Sequence, residues 1–218
     1  MRILYTASEA LPYAASGGLA DVAGSLPAAL CKAGHDCRVV LPLYKSIKPE
    51  LRKDLRFLMN FTVDVGWRKQ YCGIFEGHAN NVTYYLLDNE YYYARDGLYG
   101  FYDDCERFVF LSRAVMELIR HIDWKPQIIN CNDWQTALVP VYYQTYYKYQ
   151  HGYEDIKTVF TIHNIQYQGK YGMDVLNEVM GIPMYHANLL EYDGYRFNSI
   201  FSAELSAKYG EMNLSAQD

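Results

Sequence analysis

The hydrophobic pattern changes period along the chain, and each change marks an element. Residues 1–8 are apolar and β-branched enough for a buried strand. Over residues 17–32, Leu19, Val22, Leu26, Ala29 and Leu30 recur at three- and four-residue spacings, which predicts a helix. Pro27 inside it predicts a kink or a second helix start, and Gly34 predicts its end. The run "DCRVVLPLY" is almost continuously apolar, as in a parallel strand covered on both faces. These three pieces make a βαβ unit.

Residues 55–88 behave differently. "LRFLMNFTVDV", "RKQYCGIFEGHA" and "NVTYYLLDN" are short alternating stretches separated by Gly and Asn, which predicts an inserted antiparallel hairpin region. A Tyr-, Asp- and Gly-rich loop follows at 89–104. "ERFVFLSRAVMELIRHI" is then an amphipathic helix, "PQIINCND" a strand, "WQTALVPVYYQTYYKY" a helix and "IKTVFTIHN" a strand. The alternation predicts an α/β fold with a Rossmann-like, doubly wound parallel sheet. In such sheets ligands bind at the carboxyl ends of the strands. Three polar segments end up there: the glycine turn "YAASGGLADVAGS", then "NCNDW", then "IHNIQYQGKYG".

Composition narrows the possible partners. With 218 residues, half of them hydrophobic, the chain can bury a large core. A net charge of −5 gives no basic footprint for nucleic acid or an anionic membrane surface. No apolar run reaches the roughly 20 residues of a membrane helix, and the chain starts directly in a strand, so no signal peptide is expected. Five cysteines, odd in number and without a CxxC, read as thiols of a reduced cytoplasmic protein. The 23 tyrosines fit either core or a sugar-stacking surface, with core the commoner use.

The candidate chemistry lies in the three polar segments. Gly17 and Gly18 sit at a strand-to-helix turn, where backbone amides bind anions and absent side chains let a ligand approach. The alternative is a turn that needs glycine for its dihedrals. A dinucleotide fold would want GxGxxG and an acid ending the second strand. This chain has Ser-Gly-Gly-Leu-Ala-Asp, and its second strand ends in Leu41-Pro42-Leu43-Tyr44. No Gly-Lys-Ser/Thr makes a P-loop. Asp21 could accept from sugar hydroxyls or simply favour the helix dipole. Asp133 reads first as a helix N-cap. His163, Asn164, Gln166, Tyr167 and Gln168 crowd hydrogen-bonding groups suited to a neutral polar ligand. No HxxH, HExxH or Cys/His spacing supports a metal, and no GxSxG elbow a serine hydrolase.

Taken together, "ILYTASEALPYAASGGLADVAGSLPAAL", "CNDWQTALVPVY" and "FTIHNIQYQGKYG" resemble the N-terminal half of bacterial glycogen synthases and plant starch synthases, glycosyltransferase family 5. The resemblance covers roughly residues 1–195. It implies the N-terminal, acceptor-side domain of a GT-B glycosyltransferase and a divergent tail at 196–218. It implies an ADP-glucose-dependent α-1,4-glucan glucosyltransferase that adds glucose, with retention, to the non-reducing end of glycogen or a maltooligosaccharide, with no cofactor. By resemblance, Ala15, Ser16, Gly17, Gly18 and Asp21 lie on the donor side. His163, Asp133 and Asn164 hold the catalytic centre, and Tyr167 and Gln168 face the acceptor.

Two departures stand out. The family motif usually reads Lys-x-Gly-Gly-Leu, whereas Ala15 stands at the lysine position and removes a mobile cation. The family also carries a C-terminal nucleotide-binding domain that these 218 residues do not include, so the expectation is an N-terminal fragment inactive alone. The alternative is a stand-alone glucan-binding or regulatory module.

Overall fold

The computed structural model describes residues 1–183, 186, 196–199 and 202–203. Apart from the last six of these, the expected tail at 196–218 lies outside the described residues. The chain opens with β1 (Arg2–Thr6), α1 (Gly18–Lys32) and β2 (Asp36–Pro42). Pro27 does not split α1, which runs as one helix. A short turn of helix, α2 (Pro49–Arg52), leads to β3 (Arg56–Val65), β4 (Arg68–Ala79) and β5 (Val82–Asp88). After α3 (Glu90–Tyr93) come α4 (Asp104–His121) and β6 (Ile128–Asn132).

The next expected helix is broken. Trp134–Thr136 is a tight 3₁₀ turn, α5 covers only Leu138–Tyr142, and Tyr143–Tyr147 widens into a π turn. Pro140 has no amide to give the helix. The Tyr143 hydroxyl donates to the carbonyls of Tyr153 and Ile156, at 3.0 and 2.7 Å, so tertiary bonds override the helical ladder. β7 (Lys157–Thr161) follows, and β8 (Lys170–Gly172) pairs antiparallel with β9 (Arg196–Asn198) in a separate two-stranded sheet.

The main sheet has seven strands in the order β3-β4-β5-β2-β1-β6-β7. The hairpin region is no separate layer: β5 pairs parallel with β2, and β4 and β3 extend that edge antiparallel. β1, β2, β5, β6 and β7 form the parallel core. Counted in chain order these five run 3-2-1-4-5, the order in which the winding reverses between the first and fourth strands. Here that switch point falls between β1 and β6, so a ligand crevice belongs at their carboxyl ends.

The tyrosine surplus goes mainly to the core. Tyr44, Tyr142 and Tyr153 are buried, and their hydroxyls donate to the carbonyls of Ser8, Met180 and Met116 at 2.8, 2.8 and 2.6 Å. Each buries a ring and satisfies its polar tip. Tyr91, Tyr102, Tyr149 and Tyr167 are exposed. The five cysteines are free thiols, three buried and two half-buried. Among the described residues no helix is long and apolar enough to cross a membrane.

Candidate active site

A cleft of about 890 Å³ opens at the switch point. Its walls come from the glycine turn (Ser16, Gly17, Gly18), from the turn after β6 (Asp133, Trp134, Gln135), from the loop after β7 (His163, Asn164, Tyr167) and from the loop before α4 with the first residue of that helix (Tyr99, Gly100, Asp104). Glu9, just beyond β1, also lines it.

The glycine pair has no internal reason to be glycine. Gly17 is extended, with φ −161° and ψ −166°, a conformation open to any residue. Neither glycine has a positive φ. A Cβ on Gly17 would meet nothing closer than Glu9 Oε1 at 3.9 Å, and one on Gly18 would meet nothing within 4 Å. Dihedral need and internal crowding are both ruled out, so the clearance faces the cleft. Gly169 is the opposite case: its φ is +61°, and a Cβ would lie 2.6 Å from the Trp134 ring.

Asp133 does not act as the expected N-cap. Its side chain makes no capping bond to the turn it begins. Instead one oxygen, Oδ1, accepts from the amides of His163 at 2.7 Å and Asn164 at 3.2 Å. Its neighbour β7 runs parallel to β6 and delivers that loop alongside it, which sequence spacing alone did not reveal. Asp133 holds φ +57° and ψ 178°, a region almost reserved for glycine and costing about 1–3 kcal/mol. Thr136 helps keep it there: its hydroxyl accepts from the Asn132 amide at 2.6 Å and donates to the Asn132 carbonyl at 2.8 Å.

His163 is oriented by a residue the sequence reading did not single out. Its Nε2 lies 2.8 Å from Asn132 Oδ1. The Asn132 amide nitrogen donates to Thr6 O at 3.0 Å and Asn130 Oδ1 at 2.8 Å, so Oδ1 is the acceptor and Nε2 carries the proton. Nδ1 remains for a ligand. Asn164 Oδ1 accepts from the Gln166 amide at 3.0 Å, which tightens the loop.

The expected site residues separate into groups. Ser16, Gly17, Gly18, Asp133, His163, Asn164 and Tyr167 share the cleft, whereas Ala15 and Asp21 do not line it. Asp21 is an exposed acid in the first turn of α1, where it suits the helix dipole. Gln168 lines an adjoining groove of about 380 Å³ with Trp134, Ile165, Tyr167 and Tyr171. Its amide is engaged internally, donating to Ile165 O at 2.9 Å and accepting from Asn198 at 2.8 Å.

Glu9, Tyr99 and Asp104 join the cleft without having been expected there, while Trp134 closes the expected segment "NCNDW". Glu9 had the visible signal of an acid just past a strand; Tyr99 had none among 23 tyrosines. The loop carrying Tyr99 and Gly100 is fixed by buried Arg107, which donates to Tyr92 O (2.8 Å), Leu98 O (3.0 Å) and Asp104 Oδ1 (2.6 Å). The Tyr99 hydroxyl meets Ser8 Oγ at 2.7 Å, and burial pushes its ionisation well up. Among the described residues, three carboxylates (Glu9, Asp104, Asp133) and no Lys or Arg line the cleft. Such walls accept from sugar hydroxyls and do not neutralise phosphate. Among the described residues, no group of three His, Cys, Asp or Glu is placed to hold a metal.

A family model described as the starch synthase catalytic domain matches residues 2–212. The chain is 54% identical over 182 residues to a glycogen synthase of Clostridium botulinum (strain Alaska E43 / Type E3), covering 83% of this chain and 38% of that protein. It is 50% identical over 196 residues to a glycogen synthase of Clostridium beijerinckii, covering 88% and 41%. The solved catalytic domain of starch synthase IV from Arabidopsis thaliana, bound to ADP and acarbose, superposes with a TM-score of 0.85 at 29% identity, covering 93% of this chain and 43% of that one. The chain thus spans about two fifths of the length of the relatives it matches.

Proposed function

The chain belongs to the starch synthase catalytic domain family, and on that premise we propose that its cleft takes the glucose of ADP-glucose and serves its transfer, with retention, to the non-reducing end of an α-1,4-glucan. The proposal concerns the part of the site that these 218 residues build, since they span about two fifths of the matched relatives.

The observation that carries it is the glycine pair. Two adjacent glycines with ordinary backbone and no neighbour closer than 3.9 Å to a would-be Cβ leave open space at the cleft wall, and a bound ligand is what that space is for. His163 and Asn164 face them across the cleft, held by Asp133. In the transition state the anomeric centre gains positive charge and the departing diphosphate negative charge. Fixed polar groups stabilise such a separation better than reorienting water. The acidic lining suits the sugar and its oxocarbenium-like charge. Countercharge for the diphosphate is not supplied by the cleft's described lining residues, which include no lysine or arginine. Asp133 is then a positioning group, both of whose amide bonds are internal, and no nucleophile is assigned.

The adjoining groove supplies the acceptor side. Tyr167 is two-thirds exposed and lines both cavities, so a glucan sugar can stack on its ring next to the donor. A donor-independent glucan-binding module is the second reading, favoured by that same groove. Calorimetric titration of the chain with ADP-glucose separates the two. Saturable binding that is lost in His163→Ala, with unchanged thermal unfolding, is the expected result. Binding of maltotriose but not of ADP-glucose would favour the second reading, and equal ADP-glucose binding by both chains would remove His163 from the site.

A further inference from the structure

Glu9 is 3% exposed and stands just beyond β1, next to the switch point. Among the described residues it forms no ion pair. Its carboxylate accepts the amide of Ser16, and the neighbouring Gly17 amide lies near enough to favour the charged form. Asp133, at the end of neighbouring β6, accepts the amides of His163 and Asn164. Two buried carboxylates, each just beyond one of two adjacent parallel strands, thus hold loop amides at the cleft: Asp133 the successive pair of His163 and Asn164, and Glu9 that of Ser16.

We propose that Glu9 is the positioning residue of the glycine turn: by pinning the amide of Ser16 behind the loop, it sets the turn so that the amides of Gly18 and Leu19 meet the ligand. Gly18 and Leu19 open α1, so their amides have no partner within the helix. Both residues line the cleft. Without Glu9 the Ser16 amide would be released from its anchor, and the turn would lose the contact that ties it to the end of β1. Around Glu9, among the described residues, stand the amides of Ser16 and Gly17, the Ser16 hydroxyl, Tyr99, Tyr44 and Asp133. None is a cation. Burial therefore raises its ionisation above the usual 4.5 despite the pull of the amides.

The ligand role rests on the proposed donor site; the clamp itself does not. Amide NMR of the chain on acidification tests the clamp. The Ser16 amide proton should shift with a midpoint above 4.5, and this transition should vanish in Glu9→Gln. Flat amide shifts in the wild type, which needs no variant to fold, would overturn the clamp, as would the same transition persisting in Glu9→Gln. Titration with ADP-glucose tests the consequence: Glu9→Gln should weaken binding about fivefold or more, from the loss of a charge-assisted anchor. Unchanged affinity would overturn the positioning role. Failure of the wild type to bind ADP-glucose would contradict the donor site, while the amide titration still decides the clamp.

Discussion

Gly18 and Gly169 show how differently two glycines can be required. Gly18 has no neighbour within 4 Å of a would-be Cβ, whereas Gly169 has a positive φ and the Trp134 ring at 2.6 Å. Gly18→Ala should therefore keep or slightly raise the thermal midpoint while weakening ADP-glucose binding about tenfold or more, a loss of about 1.4 kcal/mol. Gly169→Ala should cost about 2–4 kcal/mol in urea unfolding, from left-handed strain and overpacking together. At this scale the sequence was partly readable. The glycine pair, His163 and Asp133 announce themselves by type and position. The clamp made by Asp133 did not, because an acid at a helix start defaults to a cap and only the neighbouring strand shows otherwise. Asn132 was hidden because its role is a contact made to the loop of the neighbouring strand, and Glu9 because nothing in its type tells that it bonds back to an amide seven residues on.

Elements were most legible where one period persists. The runs that became β1, β2, β6 and β7 are short and apolar, and the spacing in α1 and α4 is regular. The stretch 134–149 misled because its apolar and tyrosine pattern is helical, while Pro140 and the Tyr143 hydroxyl bonds break the ladder. The pairing of β8 with β9 joins residues far apart in sequence and has no local signal. The loop after β7 depends on Asp133 for its start. Asp133→Ala removes two charge-assisted bonds, so the His163 and Asn164 amides should exchange with deuterium at least about tenfold faster, with the amides of β1 unchanged. Unaltered exchange at both amides would show that the loop holds its shape without Asp133.

For the whole molecule, the strand order explains why distant segments meet. The switch point between β1 and β6 gathers Glu9, the glycine turn, Asp133 and the loop after β7 at one edge. Burying Glu9 there has a cost that pH reveals. Its folded-state ionisation lies above 4.5, so just above that pH the folded chain keeps a proton that the unfolded chain has lost. The Glu9 contribution therefore makes stability fall as pH rises through that window. Urea unfolding across the window should show this falling component in the wild type and not in Glu9→Gln; identical pH dependence in both would contradict it.

The most direct test of the cleft as a sugar-nucleotide site is an amide NMR titration of the chain with ADP-glucose. Saturable shifts should concentrate at Gly18, Leu19, His163 and Asn164, with β3 at the far edge of the sheet unmoved. Shifts confined to other surfaces, or none at saturating ADP-glucose, would contradict the account.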